Sequence, residues 1–257
     1  MYARKLIALS ASVVLAFSLS ACNRESSGTS ADGGSADGSI TLALSTQTNP
    51  FFVQLRDGAQ EKADELGVTL NVQDASDDAA TQANQLNNAV TTGAGVVIVN
   101  PTDSDAVVPS VEALNQADIP VVAVDRSSNG GEVASFVASD NVAGGAQAAA
   151  ALAEAIGGEG EILMLQGIAG SSASRDRGQG FEEEIAKHEG ISIVAKQTAN
   201  FDRGEGLDVA TNLLQAHPNV KAIFAENDEM ALGAIEALGA RAGEDVIVVG
   251  FDGTNDG

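Results

Sequence analysis

The chain has 257 residues, of which 44% are apolar, enough for one or two globular domains with buried cores. Its 36 acidic residues against 13 basic ones give a formal charge of −23, which repels nucleic acid and argues against a nucleic-acid partner. The single cysteine excludes an internal disulfide. The acids are scattered over helix faces, which reads as a solvated surface and also occurs in proteins adapted to high salt.

Residues 1–21 look like a signal peptide. Arg4 and Lys5 form a positive start, and Leu6 to Leu19 is an apolar run shorter than a membrane span needs. Leu19-Ser20-Ala21-Cys22 follows and resembles the lipobox of bacterial lipoproteins. That resemblance implies cleavage before Cys22, which becomes the N-terminus and carries the lipids. Residues 22–39 are rich in Gly, Ser, Ala and Asp and read as a flexible tether.

From Ile40 onward, short Val/Ile-rich runs alternate with helical patterns. The strand candidates are Ile40–Leu44, Val68–Val72, Val96–Val99, Val121–Val124, Phe136–Ala138, Ile162–Leu165, Ile191–Ala195, Ala222–Ala225 and Val246–Phe251. Between them the spacing predicts helices over Phe51–Leu66, Ala79–Thr92, Ala106–Ala117, Ala143–Ile156, Arg177–His188, Gly204–Ala216 and Glu229–Leu238. Continuous apolar strands alternating with helices mean parallel, doubly wound α/β sheets. Gly67, Gly93, Gly157 and Gly190 sit where left-handed helix caps are expected, and Asp202 is placed to cap the sixth helix. Arg126 to Gly131 interrupts the rhythm. Two lobes are therefore expected, over residues 40–138 and 139–257.

The strand ends carry the polar residues. Ser45 ends the first strand, and Asn49-Pro50-Phe51-Phe52 turns into the first helix. Phe52 fits a core position as well as it fits a stacking face for a flat ligand. Asn100 ends the third strand and Asp125-Arg126 the fourth; Gln166, Asn227 and Asp252 end strands of the second lobe, where Arg177 opens a helix. In open α/β sheets, ligands bind beyond the carboxyl ends of the strands. Acids, amides and arginines converging there suit a polyhydroxylated ligand, with aromatic faces covering the apolar side of a sugar ring.

These stretches, together with Asn100-Pro101-Thr102-Asp103-Ser104-Asp105, Gln166-Gly167-Ile168-Ala169-Gly170, Ala199-Asn200-Phe201-Asp202-Arg203, Glu226-Asn227-Asp228-Glu229-Met230 and Val249-Gly250-Phe251-Asp252-Gly253-Thr254, resemble the ribose-binding proteins of bacterial ABC importers. That family lies in the periplasmic binding protein superfamily, related to LacI-type regulators. The resemblance implies two Rossmann-like lobes joined by a hinge and closing on a monosaccharide, ribose foremost. Ser45, Asn49, Phe51, Phe52, Asn100, Asp125 and Arg126 would form one half of the site, and Arg177, Phe201, Asn227 and Asp252 the other. Ser104 and Asp105 would begin a helix. It further implies a monomer, exported and lipid-anchored to the cell envelope, that serves the membrane subunits of an ABC permease and in some cases a chemoreceptor. No cofactor or metal is implied. The family continues with a further helix, a third hinge crossing, a strand and another helix, including a sugar-contacting glutamine. This sequence stops at Gly257, so a C-terminally truncated second lobe is expected.

Three rival functions compete with that reading. An enzyme is disfavoured because His188 and His217 lie at helix ends and no nucleophile–base–oxyanion set is assembled. A transcriptional regulator is disfavoured by the acidic charge and the export signal. Another aldose, or a sugar-derived signalling molecule, remains open as the ligand, since small pocket changes alter specificity.

Overall fold

The first strand, β1 (Ile40–Leu44), buries Leu42, Ala43 and Leu44 completely. Burial on both faces requires neighbours on either side, and β1 has them in β2 (Leu70–Asp74) and β3 (Val96–Val99). The structure is a computed structural model that describes residues 39–256. The expected signal segment, Cys22 and all of the tether but Ser39 fall outside the described residues.

The first sheet is completed by β4 (Val121–Val124) and β5 (Ser135–Val137), in the order β2-β1-β3-β4-β5, with every pair parallel. Its connecting helices are α1 (Pro50–Leu66), α2 (Ala79–Thr92) and α3 (Val108–Gln116). After α4 (Asn141–Ala155) a second parallel sheet forms from β6 (Glu159–Gln166), β7 (Gly190–Thr198), β8 (Ala222–Ala225) and β9 (Ile247–Val249), in the order β7-β6-β8-β9. Helices α5 (Ser172–Ile185), α6 (Arg203–Ala216) and α7 (Asp228–Leu238) link its strands. The chain is thus an α/β protein of two doubly wound parallel sheets.

Each sheet has its own core. Val97, Val99, Val111, Leu114 and Val121 fill one face of the first. The second is sandwiched between α4 and α5 on one side, where Phe181 stacks on Phe224 with ring centres 4.0 Å apart, and α6 and α7 on the other. Each such side chain contributes roughly 1.5–3 kcal/mol of hydrophobic stabilisation. Helix α5 lies close against α4 because Gly145 has no Cβ: one there would meet the backbone carbonyl of Arg177. That approach brings the Arg177 side chain to Asn141 at the start of α4.

Helix ends follow from side-chain capping. Asn49 accepts from the Phe51 amide at 2.9 Å, Asp202 from Glu205 at 2.8 Å and Asn227 from Met230 at 2.9 Å. Gly67 and Gly93 adopt left-handed caps with φ of 66° and 68°, and Gly157 follows α4 with φ of 74°. Gly190 does not cap a helix; it opens β7. The fifth helix begins at Ser172, so Arg177 lies inside it rather than at its start. In its first turn the Ser172 hydroxyl accepts from the Ser127 amide and the Ser174 hydroxyl donates to Glu226, partners far along the chain. The third helix starts at Val108; Ser104 and Asp105 precede it in a turn whose free amides, those of Asp105 and Ala106, both donate to Asp103 at 2.8 Å. The last strand stops at Val249, leaving Gly250-Phe251-Asp252 in a loop.

Candidate functional site

Both sheets reverse strand order at a definite point, between β1 and β3 in the first and between β6 and β8 in the second. Such switch points open a crevice at the carboxyl ends of the strands. Asn49, Phe51 and Phe52 follow β1, Asp125 and Arg126 follow β4, Phe201 follows β7, Asn227 follows β8 and Asp252 follows β9. Arg177 reaches the same place from α5. These nine residues, with Ala173, line one narrow crevice between the two lobes.

Neighbouring residues of a strand point to opposite faces, yet Asp125 and Arg126 line this cavity together. The chain leaves β4 at Val124, and Asp125 takes a left-handed conformation with φ of 62°. Its amide donates to the Val137 carbonyl at 2.8 Å, which holds the turn against β5. The Asp125 carboxylate then pairs with Arg126 Nε at 3.5 Å. Arg126 is only 2% exposed, and its guanidinium carbon lies 5.3 Å from the Phe52 ring centre and 5.4 Å from that of Phe201. A cation therefore spans the aromatic faces of both lobes, in the geometry of a cation–π contact. Its Nη1 donates to the Pro101 carbonyl at 3.3 Å, while Nε has no hydrogen-bond partner among the described residues.

Phe51 and Phe52 meet edge to face, with ring centres 5.3 Å apart. Asn49 spends its side-chain oxygen on the α1 cap. Ser45 and Asn100, expected in the site, are not in the cavity lining; both are fully buried behind it. Asn100 Oδ1 accepts from the Ser45 amide at 3.2 Å, and its Nδ2 donates to the Val124 carbonyl and the Asp125 carboxylate, each at 3.2 Å. Asn100 thus clamps the ends of β1, β3 and β4 and orients Asp125.

On the second lobe, Arg177 pairs with Asp252 at 3.1 Å and lies 3.8 Å over the Phe251 ring. Its other donors go to Asn141 Oδ1 at 2.9 Å and to the Glu226 carbonyl at 2.7 Å. Burial pushes the Asp252 carboxyl up to about 7 even though the Arg177 cation pulls the other way. Desolvation therefore outweighs the ion pair. Phe201 sits in a turn in which both it and Asn200 have positive φ, 62° and 51°. Its ring covers Gly167, where a Cβ would land inside the ring. Asn227 donates to the Phe201 carbonyl at 3.1 Å while its oxygen caps α7.

A second cavity shares Asn49, Phe52, Arg126 and Phe201 with the first. Asp77 and the ion pair Arg203–Glu229 extend its wall. Sequence reasoning missed Asp77, although it lies just beyond β2 and the rule of strand ends would have found it. Burial raises its carboxyl above the usual range, with Arg126 opposing. Burial also pulls the Arg126 guanidinium down, against the pull of Asp125 and Asp77. Phe251 lies beneath Arg177, outside the expected set of contact residues. The lobes also touch away from the cavity, the Ser104 amide donating to Gly170 and the Ser127 amide to Ser172 Oγ, at 3.0 and 2.8 Å.

Aromatic faces from both lobes, charged forks and acceptors around a small polar space suit a ring bearing hydroxyls. Residues 40–257 match the periplasmic binding protein domain. The chain belongs to the periplasmic binding protein family. This binding protein is 50% identical over 222 residues to the ribose import binding protein RbsB of Escherichia coli, covering 86% of this chain and 75% of that one. The ribose import binding protein RbsB of Haemophilus influenzae is 45% identical over 254 residues, covering 99% of this chain and 82% of the relative. Among solved structures, a periplasmic solute-binding protein of an ABC transporter from Actinobacillus succinogenes, with bound D-allose, aligns with a TM-score of 0.78 at 34% identity. That alignment covers 85% of this chain and 79% of that one. These relatives are binding proteins and not enzymes. Among the described residues of this binding protein, no helix is long and apolar enough to cross a membrane.

Proposed function

We propose that this binding protein captures D-ribose, or a closely related monosaccharide, between its lobes and hands it to the membrane permease of an ABC importer. The observation that carries the reading is the convergence in one cavity of Asp125, Arg126, Arg177 and Asp252 with Phe51, Phe52 and Phe201. Asp125 and Asp252 accept from sugar hydroxyls, Arg126 and Arg177 donate to sugar oxygens, and the rings cover the apolar face. The ribose import proteins at 45% and 50% identity favour ribose as the sugar. Ligand contacts from both lobes favour the closed arrangement by differential affinity. Cys22 carries the lipid that holds the protein to the envelope, facing away from the cytoplasm; a chemoreceptor is a further partner of the closed form.

A second reading keeps the site and changes the sugar. D-Allose in the solved relative favours another aldose. A thermal-shift screen of the protein against aldoses and polyols tests both, because a ligand that binds only the native state raises its melting temperature. Ribose is expected to give the largest shift. A larger shift with another aldose selects the second reading, and no shift with any sugar removes both.

A further inference from the structure

Glu226 is fully buried between β8 and α7 and lines neither cavity. One of its carboxylate oxygens, Oε2, accepts from the Gly167 amide at 2.7 Å and from the Ser174 hydroxyl. The other, Oε1, is the one buried carboxylate oxygen among the described residues with no hydrogen-bond partner. A buried carboxyl with half its capacity unused is costly. Nothing in the packing of the second sheet requires it, since its neighbours Phe224 and Ala225 are apolar and fully buried.

What the carboxyl holds is the wall of the site. Gly167 lies against the Phe201 ring, with no room for even one further carbon. The Gly167 carbonyl accepts from Thr198 Oγ1 at 2.7 Å, three residues before Phe201. Ser174 is one turn before Arg177 on α5, and Arg177 donates to the backbone carbonyl of Glu226 itself. Asn227, the next residue, donates to the Phe201 carbonyl. A single side chain and its peptide thus join the β6–α5 loop, the start of α5 and the β8–α7 turn.

We infer that Glu226 is a positioning residue for sugar binding, setting the height of the Phe201 ring through the Gly167 amide and the reach of Arg177 through Ser174 and its own carbonyl. It touches no ligand. This rests on the sugar reading given above. Glutamine in its place keeps an oxygen for both donors; leucine keeps most of the volume and accepts nothing.

The test is a pair of variants, Glu226→Leu and Glu226→Gln, titrated with ribose by calorimetry and compared by NMR in the unliganded state. Glu226→Leu should weaken binding by about tenfold or more, because Phe201 and Arg177 are then no longer held where the sugar needs them. Glu226→Gln should restore most of that loss. The Gly167 amide, Phe201 ring and Arg177 Nε resonances should move in the leucine variant and move less in the glutamine variant. A leucine variant that melts lower but binds ribose like the parent, with Phe201 and Arg177 resonances unmoved, overturns the proposal, because Glu226 then serves stability alone. Should the leucine variant fail to fold, Ser174→Ala removes one of the two donors and must shift the same resonances; unmoved resonances there overturn the proposal too. If the parent binds no sugar, the site reading has failed, and the unliganded resonances still decide whether Glu226 positions that wall.

Discussion

Replacing Arg126 by alanine tests the site most directly. Its guanidinium is 2% exposed and sits between the Phe52 and Phe201 rings, 3.5 Å from the Asp125 carboxylate. One of its donors goes to Pro101, and Nε has no hydrogen-bond partner among the described residues, so donors remain for a ligand oxygen. On the proposed reading a sugar seated there would receive a charge-assisted hydrogen bond from a largely desolvated cation. Losing such a bond costs about 1.5–3 kcal/mol, which is roughly ten- to a hundredfold in affinity. Were Arg126 paired only at an exposed surface, the loss would be under about 1 kcal/mol and binding would not change. Arg126→Lys separates charge from shape. An ammonium keeps the cation but not the planar fork, so the lysine variant should remain clearly weaker than the parent. Asp125→Ala should fall by a similar factor, since it removes the acceptor that faces the hydroxyls. Calorimetric titration with ribose reads all three, with circular dichroism to establish that the fold is kept. Parental affinity in Arg126→Ala or Asp125→Ala, with an intact spectrum, removes that residue from the site.

Three further outcomes are expected. Gly167→Ala should displace the Phe201 ring and weaken sugar binding while costing about 1–3 kcal/mol of stability by overpacking; chemical denaturation and titration together check it, and unchanged affinity would show that the ring is not a clamp. Burial holds the Glu226 and Asp252 carboxyls near 7 in the folded protein, above their ordinary values of 4.5 and 3.8. Both therefore favour folding below about pH 4 and lose that contribution as pH rises through 7, by up to a few kcal/mol. Urea unfolding without sugar from pH 5 to pH 8 should show stability falling more steeply in the parent than in Glu226→Gln or Asp252→Asn; equal slopes would refute the assignment. Mass spectrometry of the exported protein should find Cys22 as an acylated N-terminus bearing more than one chain, because a single chain anchors only marginally; a free thiol would end that proposal.

The alternation of Val/Ile runs with helical periods made the two parallel sheets legible, because strands buried on both faces must be apolar throughout and their connections must be helical. Strand ends such as Asn49, Asp125, Arg126, Asn227 and Asp252 could be marked for the same reason: in such a sheet the ligand crevice is where the strands stop. Local patterning could not say which polar residue at a strand end faces the crevice. Ser45 and Asn100 have the chemistry of ligand contacts, but three parallel strand ends meet around them: the Asn100 amide is spent on the Ser45 backbone, Val124 and Asp125, and the Ser45 hydroxyl is buried without a partner among the described residues. The spacing starts the fifth helix at Arg177, yet it begins at Ser172, where Ser172 and Ser174 find tertiary partners in the Ser127 amide and the buried Glu226 that no local pattern reveals. The left-handed turn at Asp125, which lets two neighbouring side chains share one cavity, depends on a hydrogen bond to β5, twelve residues further on. Glu226 is one more acid by composition. Its position under Gly167 and Phe201 arises where the ends of three chain segments meet, and such contacts exist only once the sheet has assembled.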